Sequence, residues 1–325
     1  MTARSERRPL RIGTRRSPLA QAQARWVADQ LERLGAGPVE LVGVTTEGDR
    51  NEAPLAEIGG TGVFVTAVRA ALLDGSVDVA VHSLKDLPVV PCDGITLAAV
   101  PVREDPRDVL VAAGGRTLDQ LPSGARVGTG SPRRAMQVRE LRPDLDVVGV
   151  RGNVDTRIGE VLAGRLDAVV LARAGLVRLG KPEVITEVFG PERMLPAPGQ
   201  GALAVECRAA DVPTVLARLD DAASRSCVVA ERAVLQELEA GCSAPIGALA
   251  VVEDEYRGTA DRAEAPETAD MMVLRAVVGA DDGTALRRSC RGSVHDPVRL
   301  GRELAHELLQ AGVAGPDRVW GVRVQ

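Results

Sequence analysis

Residues 11–18 read RIGTRRSP and residues 126–132 read RVGTGSP. Each is a short β-prone run that passes through Gly-Thr into Ser-Pro, where the serine can N-cap a helix and the proline suits its first turn. A second pair follows in the same order: LLDGSVDVAVHS (72–83) and VLAGRLDAVVLA (161–172) share a helix end, a glycine, an aspartate and an apolar strand. One such match is within the reach of chance for glycine-rich turns, but two in order predict two similar α/β lobes facing a cleft. The first copy is longer between its two landmarks, so it carries an insertion.

Working outward, strands at LRIGT (10–14), VELVGVTT (39–46) and VDVAVHS (77–83) alternate with helix-period stretches, the pattern of an α/β domain with a largely parallel sheet. The first helix is expected to begin at Ser17 and Pro18 and to present Leu19, Ala22, Trp26, Val27, Leu31 and Leu34 to that sheet. From about residue 222 the pattern changes. A helix over SCVVAERAVLQELEA is followed by a Gly-Cys turn, strands near 246–252, 272–279 and 286–292, and a last helix over 297–311, which predicts a smaller α+β domain. Within it, VEDEYRGTADRAEAPETAD (252–270) is polar and acidic and reads as an exposed insertion.

Composition bounds the function. With 325 residues, 45% hydrophobic and 26% charged, the chain is an ordinary globular protein of two or three domains. A net charge of −5 and 2% aromatic residues remove the positive field and the stacking platforms that nucleic-acid binders use. No run approaches the roughly 18 apolar residues of a membrane span, and MTARSERRPLRIG has no apolar stretch behind its basic residues, so a cytoplasmic protein with no membrane partner is expected. Five cysteines (92, 207, 227, 242 and 290) are odd in number and lack CxxC spacing, which argues for free thiols and against a disulfide framework or a metal site.

Both Ser-Pro helix starts carry arginines where the helix dipole disfavours them: Arg133 and Arg134 in the first turn of one, Arg15 and Arg16 just before the other. Either an anionic ligand offsets the repulsion at each N-terminus, or these are surface arginines paired with Glu140 or Asp29. Arg151 and Arg157 flank GNVDT after the strand VVGV, at the carboxyl edge where open α/β sheets bind ligands. GGTGVF (59–64) is an anion loop or a flexible turn, and no Walker motif accompanies either lysine. HSLKDLP (82–88) closes an apolar strand. Its Asp86 is a general acid, a stabiliser of developing positive charge, or an ordinary turn residue, and His82 reads as a packed group. Cys242, in EAGCSAPIG after a helix, is a loop thiol open to reaction or a buried structural one, whereas Cys207 and Cys227 sit among core residues.

The segments RIGTRRSPLA, AVHSLKDLP, REDPRDVL, VGTGSPRR, RGNVDTR, PAPGQGALAVECR and AGCSAPIG, in this order from about residue 10, make the chain resemble the porphobilinogen deaminase (hydroxymethylbilane synthase) family. The resemblance implies two lobes like those of periplasmic binding proteins with a third, smaller α+β domain: residues 1–101 plus 202–221, 102–201, and 222–325. It implies joining of four porphobilinogen molecules, with loss of ammonia, onto a covalent dipyrromethane cofactor, then release of hydroxymethylbilane by water. Cys242 would hold the cofactor by a thioether and Asp86 would be the catalytic carboxylate. Ser83, Lys85, Thr129, Ser131, Arg133 and Arg134 would bind the cofactor, and Arg15, Ser17, Arg151 and Arg157 the incoming substrate. Each ring brings an acetate and a propionate, which is the anion the arginines call for. A monomer is expected. The chain departs from many relatives in having Glu57 and Thr61 where they carry lysines, with Phe64 nearby, and in the length of its acidic 252–270 stretch. The rival from another class is a two-lobed, non-catalytic binder of a small anion, which gives Cys242 no role.

Overall fold

A computed structural model of the chain describes residues 8–46, 65–241, 244–253, 270–279 and 285–312. The chain divides into two compact units, residues 1–103 with 202–225, and residues 104–201 with 226–325.

The first unit is built on strands β1 (Leu10–Arg15), β2 (Val39–Val44), β3 (Val79–Ser83) and β4 (Ile95–Ala99). The second carries β5 (Asp108–Ala112), β6 (Arg126–Gly128), β7 (Asp146–Val148), β8 (Ala168–Ala172) and β9 (Glu187–Val188), after which β10 (Leu203–Arg208) returns to the first. The two sheets run β2-β1-β3-β10-β4 and β7-β6-β8-β5-β9, one order position for position. The predicted duplication is therefore real, and it extends to single bonds. Arg11 N–H donates to Asp78 Oδ2 at 3.0 Å, and Arg126 N–H to Asp167 Oδ2 at 2.7 Å, each aspartate tying the start of one strand to the turn before its parallel neighbour.

The expectation of a largely parallel sheet holds for four of the five strands in each sheet, with one strand in each opposed to the rest. Strands β1 and β6 each pair in parallel with two neighbours, whereas β10 and β5 run antiparallel to both of theirs. Both belong to the segments that leave one unit and enter the other, so their direction is set by the crossing and is invisible to local periodicity.

Helix α1 (Pro18–Arg33) starts as the sequence indicates, with Ser17 Oγ accepting from Ala20 N–H. Its inward face is rotated from the expected stripe: Gln23, Ala24, Val27, Ala28 and Leu31 are buried, and Trp26 is exposed. Gln23 looks polar in sequence but is buried because its amide is bonded to Ser83. Helix α2 (Thr66–Leu73) buries Val68 and Leu72 on the same sheet. The second unit repeats the plan with α3 (Pro132–Leu141), capped by Ser131, and α4 (Val154–Leu162), capped by Asn153 Oδ1 on Thr156 N–H at 2.9 Å. A short α5 (Arg173–Arg178) follows β8, and α6 (Leu216–Leu219) closes the first unit's core.

The long α7 (Ala222–Glu237) leads to a three-stranded antiparallel sheet of β11 (Ile246–Val252), β12 (Met271–Gly279) and β13 (Ala285–Ser293), followed by α8 (Pro297–Gln310). Buried Glu231 of α7 stitches this part together: its carboxylate accepts from Gly199 N–H at 2.6 Å and Ala250 N–H at 2.9 Å. Most of the acidic stretch, and the residues 57, 61 and 64, lie outside the described residues. Among the described residues no helix is long and apolar enough to cross a membrane.

Candidate functional site

In the first unit β1 and β3 are parallel neighbours, with Ile12 opposite Val79, so their carboxyl ends lie side by side. That edge gathers Arg15 and Ser17 from one strand end and Ser83, Lys85 and Asp86 from the other. Asp86 ends a single 3₁₀ turn, Leu84–Asp86, anchored by buried Leu84 and by Leu84 N–H on the Ala202 carbonyl. Its half-buried carboxylate makes no ion pair or hydrogen bond among the described residues and is thus open to a ligand N–H. Ser83 is already engaged, its hydroxyl exchanging bonds with Gln23 at 2.8 and 3.1 Å.

Beneath this edge lies a buried ionic cluster that sequence reading missed. Glu206 of β10 receives Arg69 Nε at 2.9 Å and Nη2 at 2.6 Å, and His82 Nε2 stands 3.4 Å from Oε2, the oxygen that accepts from Arg69 Nε. Burial pushes the Glu206 carboxyl up, but neighbouring His82 and the doubly bonded Arg69 outweigh it and hold it at about 2. His82 is buried, in accord with its reading as a packed group.

In the second unit the equivalent edge is cationic. Thr129 and Ser131 leave β6, Arg151 follows β7, and Arg157 stands in the first turn of α4. Gly152, at φ +90°, lets the chain turn between them, and its carbonyl accepts from Arg157 Nε at 2.9 Å. Burial lowers the Arg157 guanidinium to about 10, with the charges of Arg134 and Arg151 adding to the shift. These three arginines therefore share one neighbourhood and repel one another.

Arg133 and Arg134 are not surface residues, and neither Glu140 nor Asp29 is their partner. Fully buried Asp108, at the start of β5, accepts from Arg133 Nη1 at 2.6 Å, Arg134 Nε at 3.0 Å, Arg134 Nη2 at 2.8 Å and Gln200 Nε2 at 2.8 Å. Burial opposes its ionisation, yet the two guanidinium groups hold its carboxyl well below the usual carboxylate range. The protein thus supplies the anion that these two helix-start arginines demand. One carboxylate against two guanidinium groups still leaves a surplus positive charge, which adds to Arg151 and Arg157. Arg178, pushed to about 10 by burial, donates to the Gly201 carbonyl at 2.7 Å. Gly201 itself, at φ +86°, has no room for a side chain, since a Cβ would stand 2.2 Å from the Glu104 carbonyl oxygen.

A lobe edge lined with arginines, hydroxyls and helix-start amides is suited to a ligand with several carboxylates. Cys242 lies outside the described residues. On either side of it, Ala244 N–H donates to the Gly241 carbonyl. Cys207 and Cys227 are buried, and burial raises the Cys207 thiol, as befits core groups. Among the described residues no cluster could hold a metal ion.

Two family models match the chain: "Porphobilinogen deaminase, dipyromethane cofactor binding domain" over residues 10–216 and "Porphobilinogen deaminase, C-terminal domain" over residues 225–310. A curated protein of Streptomyces coelicolor, "Porphobilinogen deaminase 1", is 52% identical over 317 residues, covering 94% of this chain and 96% of its own length. A porphobilinogen deaminase of Acidothermus cellulolyticus is 51% identical over 320 residues, covering 96% and 92%. Among solved structures, an ancestral cationic amino acid solute binding protein covers 65% of this chain and 87% of its own, at 16% identity and a TM-score of 0.41.

Proposed function

Since the chain belongs to the porphobilinogen deaminase family, with relatives above 50% identity over nearly its whole length, we propose that Asp86 is its catalytic carboxylate and that Cys242 carries its dipyrromethane. The activity is that of a porphobilinogen deaminase: four porphobilinogen molecules are joined head to tail with loss of ammonia, and water releases the linear tetrapyrrole. In this reading the enzyme is a hydroxymethylbilane synthase, a transferase, acting as a cytoplasmic monomer.

The observation that carries the assignment is the gathering of Arg134, Arg151 and Arg157 at the second lobe's strand ends, where their mutual repulsion adds to the burial that lowers Arg157 to about 10. A polycarboxylate relieves that repulsion, so the residues present fit a dipyrromethane with its acetate and propionate arms. When bound, the cofactor supplies the pyrrole carbon that accepts the first substrate ring.

The chain's own groups do the rest. Arg133, Arg134, Thr129, Ser131, Ser83 and Lys85 hold the cofactor's carboxylates, and Arg15, Ser17, Arg151 and Arg157 hold those of the incoming ring. The internal Asp108 pair makes Arg133 and Arg134 a fixed cationic floor, pre-organised because their guanidinium groups cannot rotate away. Asp86, whose carboxylate has no protein partner among the described residues, accepts hydrogen bonds from pyrrole N–H groups and stabilises the positive charge that develops as ammonia leaves.

The test is mass. Purified protein should exceed its sequence mass by a dipyrrole, and Cys242→Ser should remove both the excess and the activity. Full turnover by protein at its bare sequence mass overturns the assignment.

A further inference from the structure

Strands β12 and β13 place Arg275 opposite Ser289 and Val277 opposite Arg287. Directly paired residues of an antiparallel ribbon project to one side, and so do positions two apart, so these four side chains share a face. Within the second unit that face meets the segment around Leu195: Val277 packs with Leu195, and Arg287 reaches Glu140 and Gln137 of α3. Between them is a pocket of about 360 Å³ whose lining includes Pro191, Glu192, Leu195, Arg275, Arg287 and Ser289.

Its charges do not cancel. Arg287 is paired with Glu140. The Glu192 carboxylate, which also lines the pocket, folds back over Gly190, so three arginines stand against two carboxylates there. Arg288 folds back on the Arg287 carbonyl at 2.8 Å. Arg275, half-buried, and the Ser289 hydroxyl have no hydrogen-bond or ion-pair partner among the described residues. A guanidinium fork and a hydroxyl therefore stand side by side in a concavity with a second guanidinium one pair further along.

We propose that this pocket is a second anion site, distinct from the arginines of the strand ends, and that it takes a small oxyanion, a phosphate or a carboxylate, on Arg275 and Ser289 with Arg287 at its rim. The fork geometry of arginine suits either group. Leu195 joins the pocket to the site already described, because its carbonyl accepts from both Arg133 Nη1 at 2.6 Å and Gln137 Nε2 at 3.0 Å. Occupancy would thus brace the wall against which Arg133 is held.

The test is titration calorimetry of the full-length holoenzyme at constant ionic strength, with inorganic phosphate in one arm and acetate in the other. Arg275→Gln and Ser289→Ala are compared with Arg157→Leu, which alters only the strand-end cluster. At least one anion should show a binding event that Arg275→Gln weakens tenfold or more, that Ser289→Ala weakens less, and that Arg157→Leu leaves intact. Crystals soaked in selenate should show anomalous density within hydrogen-bond reach of Arg275. Identical titrations for wild type and Arg275→Gln in both arms, or selenate at the strand-end arginines alone, overturn the proposal. Since neither side chain has a partner among the described residues, both substitutions should leave the fold intact, which unchanged melting of the variants without anion would verify.

Discussion

Asp108→Asn is the most informative single change. The fully buried carboxylate accepts four hydrogen bonds at 2.6–3.0 Å from Arg133, Arg134 and Gln200. Asparagine keeps one acceptor oxygen and turns an amide donor toward a guanidinium donor, and it leaves two buried cations without a countercharge. Breaking a buried ion pair from one side costs about 3–5 kcal/mol, a large part of a typical total of about 5–15 kcal/mol. With a urea slope of about 1–3 kcal/mol per molar, the unfolding midpoint of the full chain should fall by more than about 1 M. Adding Arg133→Met removes one orphaned charge and should recover part of that loss, whereas loss of an ordinary contact gains nothing from a second truncation. A midpoint within about 0.3 M of wild type for Asp108→Asn refutes the charge-locking argument, and a double variant weaker than the single one refutes its electrostatic cause.

Asp86→Asn should retain the covalent dipyrrole by mass and lose several orders of magnitude in turnover, each 1.36 kcal/mol of lost transition-state stabilisation being about tenfold; near-normal turnover removes Asp86 from the chemistry. Arg151→Leu should accumulate partly elongated covalent complexes, visible as a ladder of masses, and a wild-type product profile would count against its hold on substrate. Glu206, held at about 2 against an ordinary 4.5, stabilises the fold fully above the higher value and loses that contribution as pH falls toward the lower. Glu206→Gln should therefore melt lower at pH 7 and show a smaller drop between pH 5 and 2 than wild type; parallel curves would show that the Arg69–Glu206–His82 cluster carries no such linkage.

The sequence alone determined the elements that local chemistry controls. Ser17 and Ser131 before their prolines announced two helix starts, and both serines cap in the structure, because an N-cap is decided within four residues. The paired motifs announced a duplication that the two sheets repeat strand for strand. Asp86 at a strand end and Arg151 and Arg157 around GNVDT were legible because a strand-to-helix turn fixes where its side chains can stand. Tertiary structure decided what depends on distant partners. Asp108, on strand β5, lies 25 positions from Arg133 on helix α3, and no periodicity links them; only the antiparallel entry of β5 beside β8 brings the carboxylate under both arginines. Gln23, a polar residue outside the expected apolar stripe, is buried because Ser83, 60 positions away, satisfies its amide. Likewise Glu206 sits in an apolar strand where charge is costly, and the fold tolerates it because α2 delivers Arg69 and β3 delivers His82. Local sequence fixes which groups stand at strand ends and caps, whereas the compensation of buried charge is a sum over the whole packed lobe and exists only once the strands have been ordered.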